Sequence, residues 1–160
     1  MLYVCSLISD RSQVIPSGGG YHLLRFPYGE YESYDVWNMH PAQQPDGKVS
    51  SHPDQRSGLI WPKVGGWATL TANIHWEAGN YSELRDQFIR DPLGINGRAD
   101  STATDHRRPS PGMQCFTKSH QIFVHPHTPL GLRVGHTASS SRRVVHAQFK
   151  VAIHDDVAAP

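Results

Sequence analysis

Gly66-Trp-Ala-Thr-Leu-Thr-Ala-Asn-Ile-His-Trp76 places Ala68, Leu70, Ala72, Ile74 and Trp76 on one parity, and Thr69, Thr71, Asn73 and His75 on the other. A period of two sends alternate side chains to opposite faces of a strand, so this is a long β-strand with one buried face. Arg142-Arg-Val-Val-His-Ala-Gln-Phe-Lys-Val-Ala-Ile153 repeats the pattern, with Val145, Ala147, Phe149, Val151 and Ile153 on one parity. No helical pattern of comparable clarity is available to cover a sheet. Two sheets must therefore cover each other, and the fold class is all-β: a β-sandwich with little or no helix.

Further strand-like runs lie near 2–8, 13–16, 21–26, 58–62, 82–90, 113–124 and 129–137. The run 82–90 also has some helix propensity, with Ser82 placed as an N-cap. Strand is the reading adopted, because an isolated helix would have no sheet face to cover. Pro16–Gly20 and Pro45–Gly47 are turns, and Ser139–Ser141 could close a hairpin between the last two strands. Two stretches read as loops, at about 40–57 and 91–112, the second well beyond the usual length. Residues 1–160 are read as a single domain with no heptad, collagen-like repeat or stalk.

Composition narrows the function. Fifteen Lys and Arg against 14 Asp and Glu leave a net charge of +1. That argues against a nucleic-acid or anionic-membrane partner, which needs a basic surplus. The apolar start, Met1 to Ile8, lacks a basic leader segment and is interrupted by Asp10 and Arg11, so it is not read as a secretory signal. No run approaches the roughly 20 apolar residues that span a bilayer. The expected chain is soluble and made in the cytoplasm. Cys5 and Cys115 are read as reduced, buried thiols, with a Cys5–Cys115 bridge as the alternative.

No catalytic motif is present: no Gly-x-Ser-x-Gly elbow, no His-Glu-x-x-His and no phosphate loop. Asp35 is expected to cap a turn and His40 to sit in extended backbone before Pro41. His125 and His127, with His120 or His136 nearby, are the arrangement that most invites a metal, but no carboxylate or Cys accompanies them at ligand spacing. Neither metal nor cofactor is expected, and the protein is read as a non-enzyme.

The pieces that carry a resemblance come in order. They are Ile15–Ser17 before Leu23–Phe26, Tyr34-Asp35 with Met39-His40, Gly58–Pro62, Gly66–Trp76, Leu84-Arg85, Leu130–Val134 and Phe149–Ile153. In that order they resemble the jelly-roll domain of the tumour-necrosis-factor and complement globular-head superfamily, and in particular its versions in bacteriophage virion proteins. The resemblance covers almost the whole chain. The sequence departs from the pattern in the length of 91–112 and in having Pro129-Leu-Gly131 where a Gly-Asp pair often opens the penultimate strand. The resemblance implies a jelly roll of about ten strands in two antiparallel sheets, assembling as a homotrimer.

The functional expectation is a non-enzymatic structural protein of a phage virion. It would be a compact capsid decoration protein or minor tail protein, docked on the major capsid protein or another virion protein. Tyr28, Tyr31, Tyr34 and Trp37 are candidate subunit anchors, since such side chains dominate interface energetics; packing within the protomer is the alternative. Arg107 and Arg108 are candidate contacts to a partner carboxylate, and Arg142 and Arg143 form a second such pair; ordinary solvated charge is the alternative. The rival class is a module binding a host receptor or surface glycan through Trp37, Trp61 or Trp67. Leu70, Ala72, Ile74, Trp76, Phe149, Val151 and Ile153 form the expected core.

Overall fold

The structure, a computed structural model, describes residues 1–156. Its strands are β1 (Leu2–Ser9), β2 (Gln13–Ile15), β3 (His22–Leu23), β4 (Gly66–Trp76), β5 (Leu84–Arg90), β6 (Asp100–Arg107), β7 (Gln114–Val124), β8 (Leu130–His136) and β9 (Arg142–His154). A single 3-10 turn, Gln55–Gly58, is the only helical element among the described residues. One sheet runs β1-β9-β4-β7, with β2 also on β9, and the other runs β3-β8-β5-β6. All pairings are antiparallel. The two sheets pack face to face as a jelly-roll sandwich.

The long strands β4 and β9 lie side by side in the centre of the first sheet, Leu70 opposite Val151 and Ala72 opposite Phe149. Leu70, Ala72, Ile74, Trp76, Phe149, Val151 and Ile153 are buried. Phe149 meets Phe88 of the opposing sheet at 6.0 Å and Phe26 at 6.5 Å between ring centroids, which centres the core. At one end Trp76, Tyr81 and His136 form an edge-to-face trio with centroids 5.5 to 5.9 Å apart. His136 is buried; its Nδ1 accepts the Ala138 N–H at 3.1 Å and its Nε2 donates to the Ile15 carbonyl at 2.8 Å. Gly66 is needed where β4 begins, because a Cβ there would fall on the His154 carbonyl oxygen.

Four expectations are corrected. The run 58–62 is not a strand: it contributes only an isolated bridge, Ile60 to Leu130, and the nine strands of the described residues agree with the expected jelly roll of about ten. The run is apolar because it is buried: Leu59, Ile60 and Trp61 are all enclosed. Residues 91–112 are not one loop, since β6 lies within them on the edge of the second sheet, paired with β5. Ser139–Ser141 does not close a hairpin: β8 and β9 belong to different sheets, so the segment carries the chain across the sandwich. Cys115 is exposed, whereas Cys5 is buried. These two strands sit at opposite edges of one sheet with β9 and β4 between them. Three strand spacings of about 4.8 Å exceed the reach of a disulfide.

The run 82–90 resolves as strand, β5, with Leu84 and Phe88 facing the core. The stretch 40–57 is a loop organised by polar bonds. The Asp35 carboxylate accepts the Met39 and His40 N–H groups at 2.7 and 2.8 Å. Asp54 caps the 3-10 turn, accepting the Ser57 N–H at 3.0 Å.

Candidate self-association face

The parity that buries Leu70 and Phe149 sends the opposite set to the outside of the first sheet, and the strand registers arrange it in rows. Leu2, His154, Trp67 and Phe123 form one row; Val4, Ala152, Thr69 and Gln121 the next. Ser6, Lys150, Thr71 and Ser119 follow, and Tyr34 extends this row beyond Ser6 through a two-way backbone bridge at 2.8 Å. Ile8, Gln148, Asn73 and Thr117 make the fourth row, and His146, His75 and Cys115 the last.

Lys150 is the only Lys, Arg, Asp or Glu in these rows. A sheet face built to stay in water usually carries Lys and Glu; this one carries Thr, Ser, Asn, Gln, Ala and Val. Most of the side chains on β4 and β9 are already half-buried by their neighbours. Such a surface loses little desolvation energy when covered, because it has hardly any charge to strip of water.

Histidines mark one end. His75 and His146 face each other at 5.0 Å, and the His146 Nδ1 lies 2.6 Å from the Asp10 carboxylate. Partial burial, and then the neighbouring His146, pull the His75 pKa below its usual value. At the other end Trp67 is 41% exposed, its indole N–H donating to Gln121 Oε1 at 3.3 Å.

The aromatic stretch divides in two. Tyr28 is engaged within the protomer: its hydroxyl donates to Ser50 Oγ at 2.6 Å and its ring stacks on His40 at 4.5 Å. Trp37 packs on Tyr3, also at 4.5 Å. Tyr31 and Tyr34 point outward, 96% and 54% exposed, and Val36 joins them, so an apolar rim borders the face beside β1.

Arg107 is not a free contact residue. It makes a bidentate pair with Asp86, with Nε at 2.6 Å, and stacks on Phe116. Lys118 joins the same cluster, 2.9 Å from Asp86 and 2.8 Å from Asp105, so two cations and two carboxylates fill the gap between β6 and β7. Arg108 is exposed. Of the tryptophans weighed as sugar platforms, Trp61 is buried and Trp37 half-covered, which leaves Trp67. His125 and His127 lie exposed beyond β7, while His136 is buried in the core with both ring nitrogens bonded. Among the described residues no three His, Cys, Asp or Glu converge on a point.

Sequence reasoning placed the anchors in 28–37 and overlooked the face. The signal was present on the non-core parity: Thr-x-Thr-x-Asn in β4, Gln-x-Lys-x-Ala in β9, Thr-x-Ser-x-Gln in β7 and Val-x-Ser-x-Ile in β1.

No known protein family matches the sequence, and no curated protein matches it. In fold, solved structures do match, 226 chains of them. The tumour-necrosis-factor protein Eiger from S. frugiperda is 9% identical with a TM-score of 0.57, covering 99% of this chain and 96% of its own. Murine APRIL is 8% identical with a TM-score of 0.58, covering 96% of this chain and 100% of its own. The fold is thus a jelly roll of the tumour-necrosis-factor type. Nothing in these likenesses points to a phage particle.

Proposed function

We propose that the chain is a non-enzymatic assembly module that forms a homotrimer through the outer face of the β1-β9-β4-β7 sheet and serves as a structural protein of a bacteriophage virion, on the head surface or the tail. The observation that carries self-association is the face itself, broad and with a single Lys. A threefold ring is heterologous, so it needs two different patches on each protomer. The face supplies one, and the rim of Tyr31, Tyr34 and Val36 supplies the other. The virion placement is supported by the order of the short sequence motifs, and the exposed Arg108 and Arg143 remain candidates for contact with a capsid carboxylate.

Light scattering tests assembly. The wild-type chain runs at three times its monomer mass, and Thr71→Arg, which puts a second cation beside Lys150, runs as a folded monomer. A wild-type chain that stays monomeric at high micromolar concentration overturns the trimer. Cosedimentation with capsids, followed by particle imaging, tests the placement, and absence from the particle overturns it. A glycan-binding reading rests on one observation, the exposed Trp67 beside Phe123. It predicts that host cell wall retains the wild-type chain but not Trp67→Ala.

A further inference from the structure

The sandwich is open on the side opposite the Lys118 cluster, where β2 of one sheet and β3 of the other leave a groove of about 440 Å³. Val14, Ile15, Pro16 and Leu23 give it an apolar lining, and Pro53 closes one side. Four of its polar side chains are cationic or cationisable, Arg11, Arg25, His22 and His52, and the neutral Ser12 and Gln13 are the others. A shallower depression of about 120 Å³ shares His22, Leu23 and Arg25 and brings in Arg133. Among the described residues no carboxylate lines either one.

These guanidiniums hold no carboxylate among the described residues, as is also true of Arg98, Arg108, Arg142 and Arg143, but here three of them gather around one groove and its neighbouring depression. Arg56, Arg85, Arg90 and Arg107 each hold a carboxylate. Arg25 instead donates to the Pro53 carbonyl at 3.0 Å, and Arg133 to the amide oxygen of Gln87. Arg11 makes no ion pair among the described residues. Asp54, which opposes Arg11 and Arg25 at His52, is spent on Ser50, Ser51 and Ser57, and Asp10, beside Arg11 on a separate depression with Glu30 and Glu32, is taken by His146.

The positive potential registers on the histidines. His52 is held below its usual pKa by partial burial, then by Arg11 and Arg25, with Asp54 opposing. His22 is lowered by partial burial, then by Arg25 and His136. Uncompensated cations around an apolar floor of small-molecule size form a site lacking its counter-charge. The Arg fork suits a planar or tetrahedral oxyanion.

We propose that the groove between β2 and β3 binds a small organic anion, a carboxylate or a phosphate or sulfate monoester carried on an apolar body. Arg11 and Arg25 hold the charged group, His52 and His22 offer further N–H donors, and Val14, Ile15 and Leu23 take the apolar part. The groove lies off the outer face of the first sheet, but Arg11 also borders a depression shared with Tyr31 of the proposed rim, so the titration is run on the wild-type chain and on Thr71→Arg alike.

Phenyl phosphate is the probe, titrated into the full chain and followed by backbone amide and histidine-ring NMR signals. The expected result is saturable movement of residues 11–16, His22 and His52, with both imidazole pKa values rising. Phenyl phosphate should bind at least tenfold more tightly than inorganic phosphate, and neutral benzyl alcohol should give no saturation. Arg11→Gln and Arg25→Gln should each weaken binding at least tenfold. Arg25 also holds Pro53, so Arg11→Gln, on an exposed side chain, decides the matter if Arg25→Gln fails to fold. Shifts scattered over the surface, equal affinity for inorganic phosphate, or unchanged affinity in Arg11→Gln would each overturn the site.

Discussion

Asp86→Ala is expected to be among the most damaging single polar substitutions in this protein. Asp86 sits on the core-facing side of β5, its side chain only 2% exposed, and both carboxylate oxygens are committed. Arg107 takes one at 2.6 Å and the other at 3.2 Å, and Lys118 approaches at 2.9 Å. The Lys118 side chain is itself 6% exposed and also donates to the Ala103 carbonyl at 3.2 Å. Removing the carboxylate leaves two cations in the gap with only Asp105 to balance them. Breaking a buried ion pair from one side costs about 3–5 kcal/mol, because the surviving charge is stranded.

Asp105 occupies the same cluster but is 48% exposed, so water screens it, and Asp105→Ala is expected to cost about 1 kcal/mol or less. The double replacement Asp86→Leu with Lys118→Met removes the stranded charge and should recover part of the loss. The measurement is guanidinium unfolding followed by Trp fluorescence, at fixed protein concentration since assembly adds to apparent stability. If Asp86→Ala and Asp105→Ala cost the same, burial does not set the energetics and the reasoning fails.

Other expectations follow from the same physics. Phe149→Ala should lose about 3–5 kcal/mol from lost transfer energy and a cavity, while Lys150→Ala stays within about 0.5 kcal/mol; equal losses in chemical denaturation would put the register off by one residue. His40 is buried and its pKa is depressed, chiefly by desolvation and despite its bond to the Ser57 carbonyl. The unfolded chain therefore takes up the proton first: stability is full above the ordinary histidine pKa of about 6.5 and declines as pH falls from there toward the folded value. Melting temperatures across that window should fall less for His40→Gln than for wild type. Iodoacetamide should modify Cys115 rapidly in the monomeric Thr71→Arg variant and leave Cys5, whose thiol burial pushes far up, untouched until unfolding; mass spectrometry of the digest reads both, and early modification of Cys5 counts against the buried β1 register.

The parts of the fold that were legible in sequence are those where one face is apolar and the other polar. β4 and β9 announced themselves because Leu70, Ile74, Phe149 and Val151 alternate with hydrogen-bonding residues. β6 did not, since its inward positions carry Ala103, Asp105 and Arg107, and a strand that buries an ion cluster shows no hydrophobic period. The run 58–62 failed in the opposite sense: Leu59, Ile60 and Trp61 are buried on all sides, and an apolar run without alternation fits strand and buried loop alike. Arg107 looked like a surface pair with Arg108, because nothing in the local sequence reveals that Asp86, 21 residues away, waits opposite. Most of the groove residues lie within 11–25, but nothing local reveals that the Gln13 amide bonds the Arg25 backbone, or that His52 and Pro53 come to meet them.

The ion cluster also bears on how the protein associates. β7 ends the first sheet and β6 ends the second, and two open strand edges on one side of a sandwich invite uncontrolled strand addition. Both strands turn charges inward here, Lys118 from β7 and Asp105 and Arg107 from β6. A strand added along either edge would approach half-exposed Asp105 and would have to desolvate it without offering a cation. At the opposite end of the first sheet, the β1 edge is met at Ser6 by Tyr34, and the Ile8 N–H is taken by Ser33 Oγ at 3.0 Å. With the two flanks guarded in these ways, the weakly charged face between them is the surface whose burial costs least. Neutralising the guard should therefore change the mode of association: replacing the whole cluster, Asp86→Leu with Asp105→Val, Arg107→Leu and Lys118→Met, makes the β6 and β7 flank apolar and is expected to add concentration-dependent aggregates to the trimer. If that fourfold variant folds and leaves the light-scattering profile unchanged up to millimolar concentration, the inward charges do not guard the edges.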